Sequence, residues 1–419
     1  MNNPTSLSGK KILVAVTGSI AAVKAPILIS RLIKIGAEVK CVITPSAAKL
    51  VSPLSLSTLS RNKCYQDQDQ WHDYQTKPLH IALAEWAELI LVAPMSATSL
   101  SKFSNGNADG LLASILLAAQ SQIVISPAMN TSMWENHSVK KNWNYVKTLN
   151  QVISLEPSEG LLACDRVGDG KMINLDIIEL ASESALIFRE QNKFLTKDLK
   201  NLRFLVSAGP TVEDLDAARQ LSNRSSGRLG VLIAQAAKLR GADDDLVHGP
   251  ISVQKELLEG LNTYQVRSAT EMGEQMKHLQ PSAQIIVMAA AVSDFKRNSP
   301  SNKKISKELF INSFLDDVEM TPDLIKSQTR RKSENQIFLG FAAETGSDKE
   351  IKEKGEKKRT SKGCDLLMAN PIDRDGQGFD QNFNSGFLLG PKKMIKNLPL
   401  TTKLSISHQL LDEIQNFKS

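Results

Sequence analysis

KKILVAVTGS, residues 10–19, is an apolar run that stops on a glycine and a hydroxyl. The stretch that follows, IAAVKAPILISRLIKIG (20–36), carries apolar side chains at helical spacing and ends on Gly36. AEVKCVITPSA (37–47) is a second strand and turn, and ELILVAPMSATSLSKFSNG (88–106) and QIVISPAMN (122–130) repeat the grammar. Strands that read as continuous apolar runs and alternate with helices predict a parallel sheet covered on both faces. Ligands of such sheets bind beyond the carboxyl ends of the strands. The unusual residues of this half stand there: Gly18 and Ser19, Thr44 and Ser46, then Ser96, Thr98 and Ser99.

The grammar lapses around 186–201, where LIFREQNKFLTKDLKN is charged and without strand signals, and then restarts. LRFLVSAGPT (202–211) is a strand and turn, GRLGVLIAQAAKLRGA (227–242) a helix, and AQIIVMAAAVSDF (283–295) and DLLMANPI (365–372) are further strands. The expected fold class is α/β: two Rossmann-like three-layer domains with mainly parallel sheets, 1–190 and 191–419. Two domains also suit 419 residues. KSQTRRKSENQ (326–336) and KEIKEKGEKKRTSKG (349–363) read first as solvated helix faces.

Composition narrows the function. A net charge of +6 with only 5% aromatics gives neither the basic excess nor the stacking platform of a nucleic-acid binder, and suits small anionic ligands. Lys24, Pro26 and Gly18 interrupt the first apolar stretch, so no membrane segment is expected. Cys41, Cys64, Cys164 and Cys364 lie far apart without metal-ligand spacing, which predicts free thiols and a cytoplasmic protein.

In the first half, Gly18 and Ser19 form a turn whose N–H groups suit a phosphate, although Ser19 could equally cap the helix. SPAMNTSMW (126–134) sets Asn130 among thioethers and an indole. A buried amide without partners costs roughly 1–3 kcal/mol, so Asn130 is tied down internally or filled by a ligand. His80 opens a helical stretch and is either structural or an acid/base. Cys164, in GLLACDRVGDGKM (160–172), has Arg166 and Lys171 nearby; it is a low-pKa thiol or an incidental one.

VTGSIAA (16–22), PLHIALAEWAELILVAPMSATSL (78–100), PAMNTSMW (127–134) and GLLACDRVGDGKM occur in that order and resemble the flavoproteins that decarboxylate cysteine amides. The resemblance implies FMN held by the strand-end residues above. It also implies His80 as acid/base, Asn130 on the substrate carboxylate so that the ligand fills its hydrogen bonds, and Cys164 as the proton donor of the reductive step.

The second half concentrates polarity in VSAGPTVEDLDAARQLSNRSSGRLG (206–230), where Asn223 to Gly227 precede a helix. One cap needs one such residue, and a succession of them points to an anion or an amide-rich ligand. MAAAVSDF (288–295) packs small residues where backbone must approach a ligand. Lys358 and Lys362, four apart, share a helix face and with Lys304 suit a triphosphate. With KKISK (303–307), TPDL (321–324), GFAAET (340–345) and EKKRTSKGCDLLMAN (356–370), this set resembles phosphopantothenate–cysteine ligases.

Together the halves are similar to the bifunctional phosphopantothenoylcysteine decarboxylase/phosphopantothenate–cysteine ligase family of bacterial coenzyme A synthesis. That implies CTP and Mg2+, with unassigned metal ligands. It places Asn223 and Arg219 on the substrate carboxylate, and Ala290, Ala291, Asp294, Lys304, Thr321, Pro322, Asp323, Leu324, Phe341, Lys358 and Lys362 on the nucleotide. It also implies trimeric flavin domains and dimeric ligase domains. Val212 and Ser306 stand where the family usually has basic residues. The rival readings are a regulatory flavoprotein, a flavin prenyltransferase, and a decarboxylase with a degenerate ligase half.

Overall fold

β1 (Lys11–Val16) is buried from its second residue onward, as an interior strand of a parallel sheet must be. In the computed structural model, which describes residues 6–72, 77–161, 167–308, 310, 317–379 and 381–418, it is one of six parallel strands. The others are β2 (Glu38–Ile43), β3 (Cys64–Tyr65), β4 (Leu89–Met95), β5 (Gln122–Pro127) and β6 (Val152–Ser154), in the order β3-β2-β1-β4-β5-β6. The order reverses between β1 and β4, which opens a crevice beyond their carboxyl ends. Thr17 stitches that crevice: its hydroxyl donates to the carbonyl of Pro94 at 2.8 Å and accepts from the N–H of Ser96 at 2.7 Å. An antiparallel pair, β7 (Ser158–Leu161) and β8 (Val167–Lys171), follows.

The chain forms two compact units, Met1–Thr196 and Lys197–Ser419. Residues just past the helix Leu175–Glu190 stay with the first because Gln122, buried in β5, grips Leu195 through both backbone groups, at 2.7 and 3.0 Å.

The second unit is built on β9 (Arg203–Ala208), with the small pair β10 (Val212–Asp214) and β11 (Gln220–Ser222) above it. β12 (Asp243–His248), β13 (Asn262–Gln265), β14 (Ile285–Met288), β17 (Ile337–Glu344) and β18 (Leu366–Pro371) complete a parallel core; β15 (Phe295–Arg297) and β16 (Val318–Met320) form a separate hairpin. Two strands that the sequence reading had not anticipated, β19 (Phe383–Leu389) and β20 (Ile395–Thr402), extend one edge antiparallel, giving β13-β12-β9-β14-β17-β18-β19-β20. β12 begins on acids because partners wait for them. Asp244 meets Lys238 and Asn262, and Asp245 meets Arg203 and Tyr264.

His408, on the helix Lys403–Lys418, is fully buried beside Arg240, and burial together with that guanidinium pushes its pKa from 6.5 down to about 3. The unfolded chain therefore binds a proton below its ordinary value that the folded chain refuses. Stability from this group is fully present above about pH 6.5 and drains away toward pH 3. Urea unfolding of wild type at pH 6 and pH 5 should show about 1.4 kcal/mol per pH unit from this one proton. His408→Gln should remove that slope. Equal slopes would mean that His408 titrates normally in the fold.

Candidate functional sites in two units

In the first unit the crevice between β1 and β4 opens into a cavity of about 550 Å³. Gly18, Ser19, Ser96 and Asn130 line it, with Ile20, Val23, Met129, Met133 and Met172 as apolar wall and Lys24 and Lys171 as basic groups. Ser19 caps the short helix Ile20–Lys24, accepting from the N–H of Ala21 at 3.4 Å, and Ser96 caps Ala97–Ser104 through Ser99. The donor set fits a phosphorylated ligand with a broad apolar face: hydroxyls and N–H groups at the strand ends, thioethers and aliphatics opposite. At Gly18 a Cβ would lie 2.6 Å from that of Ser46, so only glycine lets the first two strand ends meet.

In the second unit a cavity of about 420 Å³ lies beyond β9, β14 and β17. Asn223, Ala290, Ala291, Asp294, Thr321, Pro322, Asp323, Leu324, Phe341, Lys358 and Lys362 line it. The Asn223 amide donates to the carbonyl of Val292 at 2.8 Å, and Thr321 is bonded to Ser293. Lys358 pairs with the buried Glu344 at 2.6 Å and Lys362 faces Asp323 at 3.8 Å. The charge run 349–363 is thus a capped helix, Asp348–Lys362, with one edge turned to the cavity rather than a wholly solvated face.

Residues 1–186 match the family described as Flavoprotein, and residues 199–417 the DNA/pantothenate metabolism flavoprotein C-terminal domain. The chain is 35% identical over 412 residues to the coenzyme A biosynthesis bifunctional protein CoaBC of Bacillus subtilis (strain 168), covering 97% of each chain. It is 33% identical over 413 residues to the protein of that name from Escherichia coli (strain K12), covering 98% of this chain and 97% of the relative. The chain belongs to the bifunctional coenzyme A biosynthesis family. Among solved structures, a C-terminal domain of a coenzyme A biosynthesis bifunctional protein is 29% identical, with a TM-score of 0.43, over 52% of this chain and 98% of that one.

Several residues expected at the sites of a coenzyme A family member stand elsewhere. Asn130 lines its cavity, yet its Oδ1 accepts from the N–H of Ser132 at 2.9 Å and caps Thr131–Trp134. The fold itself therefore satisfies part of the amide, contrary to the expectation that the ligand alone does. Thr44 caps Pro45–Ala48 and, like Ser46 and the exposed Thr98, is not among the lining residues. His80, half-buried in Leu79–Trp86, does not line it either. Cys164 lies outside the described residues.

In the second unit Arg219 is spent internally. Its guanidinium binds Asp216, donates to the carbonyl of Ile305 at 3.0 Å and covers the ring of Phe310. The Arg219 guanidinium and the backbone N–H groups of Ala218, Ile305 and Arg219 hold the Asp216 carboxyl well below the usual carboxylate range. Lys304 is exposed and off the cavity. Sequence reasoning missed Asn370, Gly378, Phe379, Asn384 and Lys403, all of which line it.

The β7–β8 hairpin is pinned to Asn130's neighbour: the carbonyl of Gly170 accepts from the N–H of Met129 at 2.9 Å. Gly170 has φ +125°, and a Cβ there would lie 2.3 Å from the Met129 carbonyl oxygen. Gly170→Ala must lift the hairpin from the cavity. A misplacement of about 1 Å at a site can cost on the order of 100-fold in rate. Decarboxylation should fall by that order with ligation unchanged, and an unaffected CO2 release rate would show that the hairpin is not needed.

Proposed function

We propose that the protein makes 4'-phosphopantetheine from 4'-phosphopantothenate, by CTP-dependent ligation with cysteine in residues 191–419 and FMN-dependent decarboxylation in residues 1–190. Family membership across nearly the whole chain makes it a bifunctional decarboxylase and ligase of coenzyme A biosynthesis. The observation that carries the assignment of halves is the pair of cavities, one in each unit, each at the carboxyl ends of parallel strands.

In the first, the Gly18–Ser19 turn and Ser96 hold the phosphate end of FMN, and the methionines and aliphatics cover its ring. FMN, when bound, supplies the electron acceptance and return that make a carboxylate beside an amide able to leave as CO2. Asn130 orients that carboxylate through its amide N–H2, while its oxygen keeps the helix cap. His80 and Cys164 move the protons, the thiol suiting the role because its ordinary pKa of about 8.5 lies near working pH. His80, off its own cavity, acts in a neighbouring subunit's site in a trimer; exposed Ile20, Val23 and Ile27 support such an assembly. Ligase halves pair as dimers.

In the second, the substrate carboxylate attacks the α-phosphate of CTP, giving an acyl-cytidylate and pyrophosphate, and the amine of cysteine then displaces CMP. Lys358 and Lys362 stabilise the charge that gathers on the leaving pyrophosphate. Among the described residues no cluster of three or more metal-ligating side chains is assembled. Mg2+ characteristically uses one or two carboxylates plus phosphates, and Asp294 and Asp323 line the cavity where CTP would bring it. Three free buried cysteines support a cytoplasmic enzyme, and among the described residues no helix is long and apolar enough to cross a membrane.

The test incubates purified protein with phosphopantothenate, cysteine, Mg2+ and each nucleotide, following pyrophosphate and CO2 separately. Yellow protein, CO2 release and pyrophosphate release best with CTP are expected. CO2 from supplied phosphopantothenoylcysteine without pyrophosphate from any nucleotide would leave a decarboxylase with a degenerate ligase half, the reading that the placement of Arg219 and Lys304 favours.

A further inference from the structure

We propose that Thr211, which stands just off the wall of the second-unit cavity, is a positioning residue for ligation: held by Glu213, its hydroxyl sets the placement of the 290–294 loop. The inference rests on the ligase reading above. The loop follows β14 and supplies Ala290, Ala291, Val292, Ser293 and Asp294 to the cavity wall. The turn after β9 grips its first part by backbone. The N–H of Ala291 donates to the carbonyl of Gly209 at 2.9 Å, and the N–H of Thr211 to the carbonyl of Ala291 at 3.3 Å. Two residues on, a side chain takes over: the N–H of Ser293 donates to the Thr211 hydroxyl at 2.9 Å.

Thr211 is fully buried and Ser293 is 2% exposed, so without that hydroxyl the Ser293 N–H would be stranded away from water. A hydroxyl carries one proton and two lone pairs. The Thr211 proton goes to the Glu213 carboxylate, which leaves a lone pair for Ser293. Glu213 is 6% exposed and is itself fixed by the N–H of Ala269, the first residue of the helix Ala269–Leu279, at 2.7 Å. Ser293 passes the placement on. Its carbonyl accepts from the Thr321 hydroxyl, and the N–H of Thr321 donates to the carbonyl of Asp294 at 3.0 Å. Asn223 joins the same loop through the carbonyl of Val292. Asn223, Asp294 and Thr321, all on the cavity wall, thus take their positions from one loop that is braced from behind.

The first unit contains the same device. Thr17, beyond β1, accepts from the N–H of Ser96 in the stretch that follows the neighbouring strand β4. Thr211, beyond β9, accepts from the loop that follows the neighbouring strand β14. In the second unit the brace matters more, because Ala290 and Ala291 have no side chains long enough to lock the loop by packing. Its position therefore depends on backbone hydrogen bonds, and a shift of about 1 Å at a site can cost on the order of 100-fold in rate.

Pyrophosphate release by full-length protein, at a temperature where far-UV circular dichroism shows each variant fully folded, tests this. Thr211→Val keeps the shape and removes the hydroxyl. Its kcat/KM for CTP should fall at least about tenfold, with CO2 release from supplied phosphopantothenoylcysteine unchanged. Thr211→Ser restores the oxygen and should return to within about threefold of wild type. Glu213→Gln offers one acceptor oxygen where the carboxylate offered two, and should lose at least about threefold. Combined with Thr211→Val it should lose no more than Thr211→Val alone, because both act through one hydroxyl. A merely structural role would lower the urea midpoint and leave kcat/KM of the folded protein as in wild type. That result, equal impairment of Thr211→Val and Thr211→Ser, or losses that multiply in the double variant overturns the proposal. If Thr211→Val does not fold, Glu213→Gln decides: a loss of kcat/KM with the wild-type urea midpoint supports the proposal, and wild-type kcat/KM overturns it. Wild type releasing no pyrophosphate with any nucleotide would instead remove the ligase reading, and this one with it.

Discussion

Asn130→Asp is expected to keep its flavin and to lose decarboxylation by at least about 100-fold, the scale of removing one oriented donor from a reacting carboxyl group. The substitution is nearly silent for the fold. Asp is as good an N-cap as Asn, so an oxygen remains to accept from Ser132 and to start Thr131–Trp134. Gly170 and Met129 keep their backbone bond. What changes is chemical: an amide N–H2 that can face a carboxylate becomes a second negative charge against it. Flavin absorbance of the purified variant and CO2 release from supplied phosphopantothenoylcysteine are the two readings. Normal CO2 release with flavin retained would reduce Asn130 to a helix cap.

Arg240→Met is expected to unfold the second unit while sparing the first. The guanidinium is 1% exposed; it binds Asp198, reaches Asp412 at 2.7 Å, and donates to the His408 carbonyl and to Gln415 at 3.3 Å each. It joins the end of the helix Arg228–Leu239 to the start of the unit and to its last helix. Removing one partner of such a buried arrangement strands the carboxylates, at a cost on the order of 3–5 kcal/mol. That is a large share of a domain stability of about 5–15 kcal/mol. The four tryptophans (Trp71, Trp86, Trp134 and Trp143) all lie in the first unit. Urea titration should therefore show an unchanged tryptophan transition and a far-UV circular dichroism transition displaced to lower urea, with ligation lost and CO2 release kept. A variant whose circular dichroism transition matches wild type would mean that Asp198 and Asp412 tolerate the loss.

The parallel cores were legible because β1, β4, β5, β9 and β14 announce themselves as apolar runs closed by small residues. The cavity wall at their ends in the first unit, Gly18, Ser19 and Ser96, followed from that reading, whereas Ala290, Asp294 and Phe341 in the second were implied by the family resemblance. Arg219 shows where it stopped. A basic residue in a polar motif looks poised for an anion, and only the folded chain reveals that Asp216, three residues back, already holds it. Asn384 and Lys403 failed in the other direction. Each is unremarkable in its own stretch, and only the antiparallel strands at the sheet edge bring it to the wall of the cavity. Asn130 was singled out correctly as unusual, but its spacing to Ser132 was a cap signal that competed with the ligand reading.

The lateral position of β19 and β20 bears on the order of synthesis. As the chain leaves the ribosome, everything the first unit needs has been made by residue 196, and domains generally fold as units during translation. The second cavity draws its walls from Asn223 through Lys403, so it stays open along one side until the final strand and the residue that follows it have emerged. A premature stop between β18 and β19 yields a flavin unit with its own sheet complete beside an exposed, unfinished sheet edge at β18. Such an edge pairs readily with other strands. Truncated products of this gene should therefore be recovered as yellow aggregates, the colour reporting the half that finished and the insolubility the half that did not.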